Sequence, residues 1–214
     1  MSDENYRPYL YLITPEVIDD IEAFGNSLDD ALSAGQVACV QLRLKEASDE
    51  DIINAAEALM PIVHKHEVSF FINDRADIAK QVNADGVHLG QGDGNIKEAI
   101  ELLGFEKDVG VTCHDSRHLG FEAGEAGASY VAFGAFYPTE TKKSDYHPEP
   151  EVIKIWTEGT EIPCVAIGGI TAENCGPLVE AGADFIAVCS SVWNHSEGAA
   201  AAVSEFEAIF SKKA

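Results

Sequence analysis

The chain has 214 residues, with 14 Lys plus Arg against 37 Asp plus Glu, a formal net charge of −23 and a hydrophobic fraction of 46%. That length and apolar content fit one domain around a single large core and exclude a disordered chain. The acidity argues against a nucleic-acid partner or an anionic membrane surface, because both are held by basic patches, and favours a well-solvated surface.

In chain order, Met1–Pro8 is polar and carries no apolar h-region, so it is expected to be a flexible N-terminus without a secretion signal. Eight short apolar runs follow: Tyr9–Thr14, Cys39–Leu44, Ser69–Asn73, Gly86–Leu89, Asp108–Thr112, Tyr130–Phe133, Cys164–Ile167 and Phe185–Val188. Most are continuous in apolar residues, as strands covered on both faces are. Amphipathic stretches separate them, among them Asp49–His64, Ile96–Leu103, Ser116–Ala126 and Ala172–Ala181. Ser48 ahead of Asp49-Glu50-Asp51 is an N-cap with acidic residues in the first turn. Three phrases repeat before strands: Val82-Asn83-Ala84-Asp85-Gly86, Ala126-Gly127-Ala128-Ser129-Tyr130 and Ala181-Gly182-Ala183-Asp184-Phe185. Each reads as a helix ending on a left-handed Gly or Asn, then a short turn.

Eightfold strand–helix alternation predicts an α/β fold, a single (β/α)8 TIM barrel over residues 1–214. A doubly wound sheet is the alternative, but no G-x-G-x-x-G follows the first strand. Residues 137–150 hold three prolines and read as a mobile βα loop. The five cysteines are Cys39, Cys113, Cys164, Cys175 and Cys189, odd in number, well separated and mostly in apolar runs. They read as reduced core thiols of a cytoplasmic protein. No apolar run is long enough for a transmembrane helix.

Such barrels place their active site at the carboxyl ends of the strands. Five of the 14 Lys and Arg residues fall in three segments at strand ends: Gln41-Leu42-Arg43-Leu44-Lys45, Asn73-Asp74-Arg75 and Thr139-Glu140-Thr141-Lys142-Lys143. Scarce positive charge placed there points to an anionic ligand, which the acidic background would otherwise repel. Gln41, Arg43 and Lys45 alternate at period two, so all three are expected to face the barrel mouth, Arg43 being suited to bidentate phosphate binding. Asp74 is either an N-cap or, with Asp93 from the next strand end, part of a Mg²⁺ site completed by water and phosphate oxygens. His88, within a strand, reads as a packed core histidine, and His114 as either a base or a structural residue. The Thr112 hydroxyl can bond phosphate or a substrate nitrogen. Thr139, Thr141 and Lys142 suit phosphate capture by a closing loop. Gly168-Gly169 after the seventh run and Cys189-Ser190 after the eighth occupy the recurrent phosphate position of these barrels. Two anion stations result, one on strands two to four with Lys142 and one on strands seven and eight with Thr139 and Thr141, which fits two phosphorylated substrates.

Taken in order, Tyr11-Leu12-Ile13-Thr14, Gln41-Leu42-Arg43-Leu44-Lys45, Phe71-Ile72-Asn73-Asp74-Arg75, Asp85-Gly86-Val87-His88-Leu89-Gly90-Gln91, Pro138-Thr139-Glu140-Thr141-Lys142 and Val165-Ala166-Ile167-Gly168-Gly169-Ile170 resemble the thiamine phosphate synthase family over nearly the whole chain. The resemblance implies a transferase that joins a hydroxymethylpyrimidine diphosphate to a thiazole phosphate and releases pyrophosphate. It implies that Gln41, Arg43, Lys45, Asn73 and Lys142 hold the pyrimidine diphosphate and that Asp74 and Asp93 bind Mg²⁺. Thr139, Thr141, Gly168, Gly169, Cys189 and Ser190 would hold the thiazole phosphate, and Thr112 stands where the family has a serine near the pyrophosphate. Arg43, Lys45, Lys142 and Thr112 would be the catalytic set, acting through positioning and charge. Small molecules are the expected partners, and a homo-oligomer is compatible with the sequence. The chain departs from the family pattern where Ser144-Asp145-Tyr146-His147-Pro148 replaces a glycine-rich stretch and where Gly92 and Gly94 flank Asp93. Rival readings are a thiazole tautomerase-like paralogue, which carries a His where Ala135 follows Gly134 here, a sugar-phosphate isomerase, and a non-catalytic thiamine-precursor binding protein.

Overall fold

A computed structural model describes residues 7–139 and 145–213. Eight parallel strands close in sequence order into a barrel: β1 (Tyr9–Ile13), β2 (Val37–Leu42), β3 (Ser69–Asn73), β4 (Gly86–Leu89), β5 (Asp108–His114), β6 (Tyr130–Phe133), β7 (Cys164–Ile167) and β8 (Phe185–Val188). Around them run α1 (Ile21–Ser33), α2 (Asp49–Lys65), α3 (Ala76–Gln81), α4 (Ile96–Leu103), α5 (Arg117–Ala126), α6 (Glu151–Gly159), α7 (Gly176–Glu180), α8 (Ser190–Trp193) and α9 (Ala199–Lys213). Five strands keep the expected bounds. β2 begins earlier and stops at Leu42, and β5 runs on to His114 past a register shift between Thr112 and His114. The helix expected over Ala172–Ala181 starts only at Gly176, because Pro177 needs no amide partner in the first turn and Asn174 instead ties back to Thr171. Among the described residues no helix is long and apolar enough to cross a membrane.

Side chains alternate across each strand, so the barrel has two cores. Outward residues such as Leu10, Val40, Phe70, Val87, Val109 and Phe133 pack under the helices, where Trp156 is 1% exposed and donates from Nε1 to the Ile162 carbonyl at 2.8 Å. Inward residues Tyr11, Cys39, Phe71, Tyr130, Val165 and Ala187 fill the lower barrel. Gly110 on β5 leaves space for an aromatic ring, since a Cβ there would lie 1.9 Å from the Tyr130 ring.

The three repeated turn phrases share one device. Asn83, Gly127 and Gly182 sit at φ 55°, 100° and 92°, the left-handed region, and end α3, α5 and α7. The fourth residue of each phrase then reaches back to the strand before its helix. Asp85 Oδ2 accepts from the Phe70 amide at 2.8 Å, Ser129 Oγ from the Val109 amide at 3.2 Å, and Asp184 Oδ2 from the Cys164 amide at 2.8 Å. These side chains satisfy amides that begin β3, β5 and β7. The β1–α1–β2 unit uses another partner: Glu207 of α9 accepts from the Gln36 amide at 2.9 Å and pairs with Arg7.

Ser48 caps α2 as expected, accepting from the Asp51 amide at 3.2 Å while Asp51 accepts in return. Ser48→Ala is expected to lower stability by about 1 kcal/mol. A shift in urea midpoint with unchanged activity checks this, and an unshifted midpoint contradicts it.

Candidate active site

The carboxyl ends of the strands open into a cavity of about 240 Å³. Of the residues singled out from the sequence, Gln41, Arg43, Asn73, Thr112, Thr139, Gly168, Gly169, Cys189 and Ser190 line it. Residues from each of the two expected stations therefore face one space. Lys45, Asp74 and Asp93 do not line it. Thr141 and Lys142 lie outside the described residues, as does the neighbouring segment Glu140–Ser144.

The first station is built on β2, β3 and their ends. Gln41 and Asn73 point inward from neighbouring strands, and Gln41 Nε2 donates to Asn73 Oδ1 at 2.6 Å. Arg43 follows the end of β2, where its amide donates to Thr14 Oγ1 at 2.9 Å. Its side chain is only 13% exposed, and Nη1 is held 2.6 Å from Glu16 Oε1. The guanidinium is thus held in place on the β1 side of the cavity, with one nitrogen on Glu16. The period-two alternation stops there. β2 ends at Leu42, so Lys45 sits on a turn, exposed, and lines a separate cleft with Glu16, Leu44 and Asp51. Arg75 also turns outward, binding Asp49 and Asp77 at 2.5 and 2.7 Å.

Asp74 is not a helix cap. The N-cap position of α3 is Arg75, whose side chain makes no capping hydrogen bond. Asp74 instead takes a left-handed conformation, φ 62°, with its amide on the His88 carbonyl at 2.8 Å and Oδ2 accepting from Asn73 Nδ2 at 2.6 Å. Asp93 stands on the exposed turn after β4 and folds back over the strand end. Its Oδ2 lies 2.2 Å from where a Cβ on Gly90 would be, so glycine at 90 makes the cradle for that carboxylate. Both acids are thus drawn to adjacent strand ends, β3 and β4. Among the described residues no cluster of three or more His, Cys, Asp or Glu ligands occurs. Two carboxylates with water and phosphate oxygens suit Mg²⁺ better than a softer metal.

The second station depends on close packing of two loops. Gly168 has φ 103°, and a Cβ there would lie 2.3 Å from the Ala135 Cβ. Its carbonyl accepts from the Tyr137 amide at 3.0 Å, and the Ile167 carbonyl accepts from the Phe136 amide at 3.1 Å. Gly169 at φ 64° approaches the Pro138 carbonyl in the same way. The glycine pair therefore lets the loop after β6, which carries Thr139, lie against the end of β7. Tyr137 anchors it further by donating to the Asn174 carbonyl at 2.7 Å. Burial pushes the Cys189 thiol up to about 11 even with Arg43 opposing the shift, so it lines the cavity as a neutral S–H. It donates to the Thr14 carbonyl at 3.5 Å.

Three ring-bearing residues of the lining were missed or left open by the sequence. His88 is 7% exposed, as expected of a core histidine, yet it also lines the cavity, with Nε2 2.8 Å from Thr112 Oγ1 and Nδ1 3.1 Å from Tyr130 Oη. His114, at φ 54°, stacks on Tyr146 with ring centroids 4.2 Å apart, making an aromatic wall beside the mouth. Nothing local pairs two residues 32 positions apart. The absence of glycine in Ser144–Pro148 was the available signal that a bulkier wall stands there.

Fold and site together define a (β/α)8-barrel protein with a largely apolar cavity, set with a few convergent polar groups, at the carboxyl ends of its strands, the architecture of small-molecule enzymes. Comparison with known proteins narrows this class. Residues 10–192 match the family described as thiamine monophosphate synthase. The chain is 56% identical over 200 residues to thiamine-phosphate synthase of Rhodospirillum centenum, covering 94% of this chain and 96% of that protein. It is 49% identical to the Hyphomonas neptunium thiamine-phosphate synthase over 208 residues, 95% and 94% of the two chains. The solved structure of thiamine phosphate pyrophosphorylase from Pyrococcus furiosus superposes with a TM-score of 0.84 at 30% identity, covering 98% of each chain. The chain belongs to the thiamine monophosphate synthase family.

Proposed function

We propose that this chain is a thiamine-phosphate synthase, a transferase that condenses 4-amino-5-hydroxymethyl-2-methylpyrimidine diphosphate with thiazole phosphate to give thiamine phosphate and pyrophosphate. The observation that carries the reading is the single cavity reached by both Arg43 with Gln41 and Asn73, and Thr139 with Gly168, Gly169, Cys189 and Ser190. Two anionic substrates bound at its two sides bring their reacting atoms together between them.

In this reading Gln41, Asn73 and Thr112 grip the aminopyrimidine, while Arg43, joined by Lys142 from the loop after β6 and by Lys45 swung in from its exposed turn after β2, neutralises the diphosphate. The bond from the exocyclic methylene to the diphosphate oxygen breaks with its electron pair leaving on oxygen. The electron-rich aminopyrimidine supports the benzylic-type cation left behind. Thr139, Thr141, Gly168, Gly169, Cys189 and Ser190 hold the thiazole phosphate so that the ring nitrogen donates its lone pair to that carbon. Asp74 and Asp93 are the residues that would hold Mg²⁺, which when bound supplies positive charge for the pyrophosphate oxygens. No side chain must move a proton at the reacting carbon, so charge and placement dominate. The five free cysteines, four of them buried, support a cytoplasmic location.

The tautomerase-like alternative needs a His after the glycine that ends β6. Ala135 occupies that place and packs against Gly168, so the chain carries no acid–base side chain at that position.

Purified protein mixed with both substrates and Mg²⁺ is expected to form thiamine phosphate, followed as thiochrome fluorescence after oxidation. Omitting either substrate, or adding excess chelator, should abolish the signal. Full activity in chelator would remove the metal from the scheme, and no product with all components would reject the reaction.

A further inference from the structure

A run of hydrogen bonds, joined by Cys39 at Tyr11, crosses the barrel from the end of β3 to the end of β5, and its direction is set at one end. The Asp74 carboxylate only accepts. Asn73 must therefore face it with its amide NH₂, at 2.6 Å, which leaves the Asn73 oxygen to accept from Gln41 Nε2, also at 2.6 Å. The Gln41 oxygen is then left to accept from Tyr11 Oη at 3.0 Å. A phenol has one proton, so Tyr11, having given its own, accepts from Tyr130 at 2.8 Å. Tyr130 in turn accepts from His88 Nδ1–H at 3.1 Å. An uncharged ring with its hydrogen on Nδ1 presents Nε2 as an acceptor, which takes the Thr112 hydroxyl proton at 2.8 Å. Burial drives the pKa of both phenols well above the usual value, so each keeps the one proton this order requires.

The consequence falls on Thr112, which lines the cavity. With its proton directed inward at His88, its oxygen turns lone pairs toward the cavity. A pyrophosphate oxygen is itself an acceptor and gains nothing from that face. An N–H donor does.

We propose that Tyr11, Tyr130 and His88 are positioning residues that fix Thr112 as a hydrogen-bond acceptor, and that Thr112 thereby selects the exocyclic amine of the aminopyrimidine. This rests on the aminopyrimidine reading above. The carboxylate that orders the chain is the one assigned to the metal, so metal site and base recognition share one hydrogen-bonded element.

Two measurements test this. In the uniformly ¹⁵N-labelled full chain, long-range proton–nitrogen correlations report which imidazole nitrogen carries hydrogen, with the His88 signals identified by their loss in His88→Gln. The wild type is expected to show the Nδ1–H tautomer at neutral pH, and Tyr130→Phe to lose that single state. An Nε2–H tautomer or an imidazolium in the wild type overturns the proposal, whatever the enzyme turns over. In kinetics, the ratio of kcat/KM for the aminopyrimidine diphosphate to that for its des-amino analogue should fall about 10-fold in Tyr130→Phe and in Thr112→Ala, with Thr112→Ser restoring it. The KM for thiazole phosphate should not move. Equal losses on both pyrimidines would mean a merely structural role and would overturn the proposal. Failure of the wild type to use either pyrimidine rejects the synthase reaction instead, and the tautomer still decides whether the chain is ordered as described.

Discussion

Arg43→Ala should lower kcat/KM by about 100- to 1,000-fold, the usual loss when one preorganised charge aimed at a developing anion is removed. The reason lies in how the guanidinium is held. It is 13% exposed, its backbone amide is fixed by Thr14, and one nitrogen is held by Glu16. Its charge also acts on the Cys189 thiol, which meets the same Thr14 and whose upward shift on burial it opposes. A cation so placed would lose little freedom on binding phosphate. The fold should survive, since Glu16 is 36% exposed and can be resolvated when its partner is lost. Arg43→Lys should recover part of the rate, because an ammonium keeps the charge but not the two-pronged geometry. Wild-type kcat/KM in Arg43→Ala, measured with both substrates and Mg²⁺, would remove Arg43 from the machinery.

Gly168→Ala should cost about 3 kcal/mol, combining a left-handed backbone with overpacking. A β-carbon there would lie 2.3 Å from the Ala135 Cβ and 2.5 Å from its Cα, neither of which belongs to a flexible side chain. The loop after β6 must lift or the end of β7 must retreat, and the bond from the Tyr137 amide to the Gly168 carbonyl is strained in either case. The expected result is a thermal midpoint lower by about 10 °C, with turnover lost further than instability explains, because Thr139 moves with the loop. A melting curve within 2 °C of wild type, estimated as under about 1 kcal/mol for a chain this size, would contradict the packing argument.

How much of this was legible beforehand differs by distance along the chain. Runs such as Gly86–Leu89 and Phe185–Val188 keep their bounds because a glycine- or asparagine-ended helix precedes each and continuous apolar residues fill it. The end of β2 was misjudged because Leu42-Arg43-Leu44-Lys45 continues a period of two on paper, while the backbone has already left the sheet at Leu42. The resemblance could place Gln41, Asn73 and Thr112 near one ligand. It could not reveal that Tyr11 and Tyr130, 119 residues apart, join them beneath it. Side-chain hydrogen bonds between distant strands leave no local pattern. The Tyr146 wall was hidden for the same reason.

The turn staples at Asp85, Ser129 and Asp184 have a consequence for how the barrel could have been assembled. Each locks one strand–helix–strand pair, β3 with β4, β5 with β6 and β7 with β8, at the end remote from the cavity. The remaining pair, β1 with β2, is secured from outside by Glu207 of the last helix. The molecule is therefore four quarter-barrels, three self-fastened and one fastened by the C-terminal helix. New chain ends placed between α2 and β3 would leave every fastening whole, whereas trimming α9 would unlatch the first quarter and open the ring at its seam.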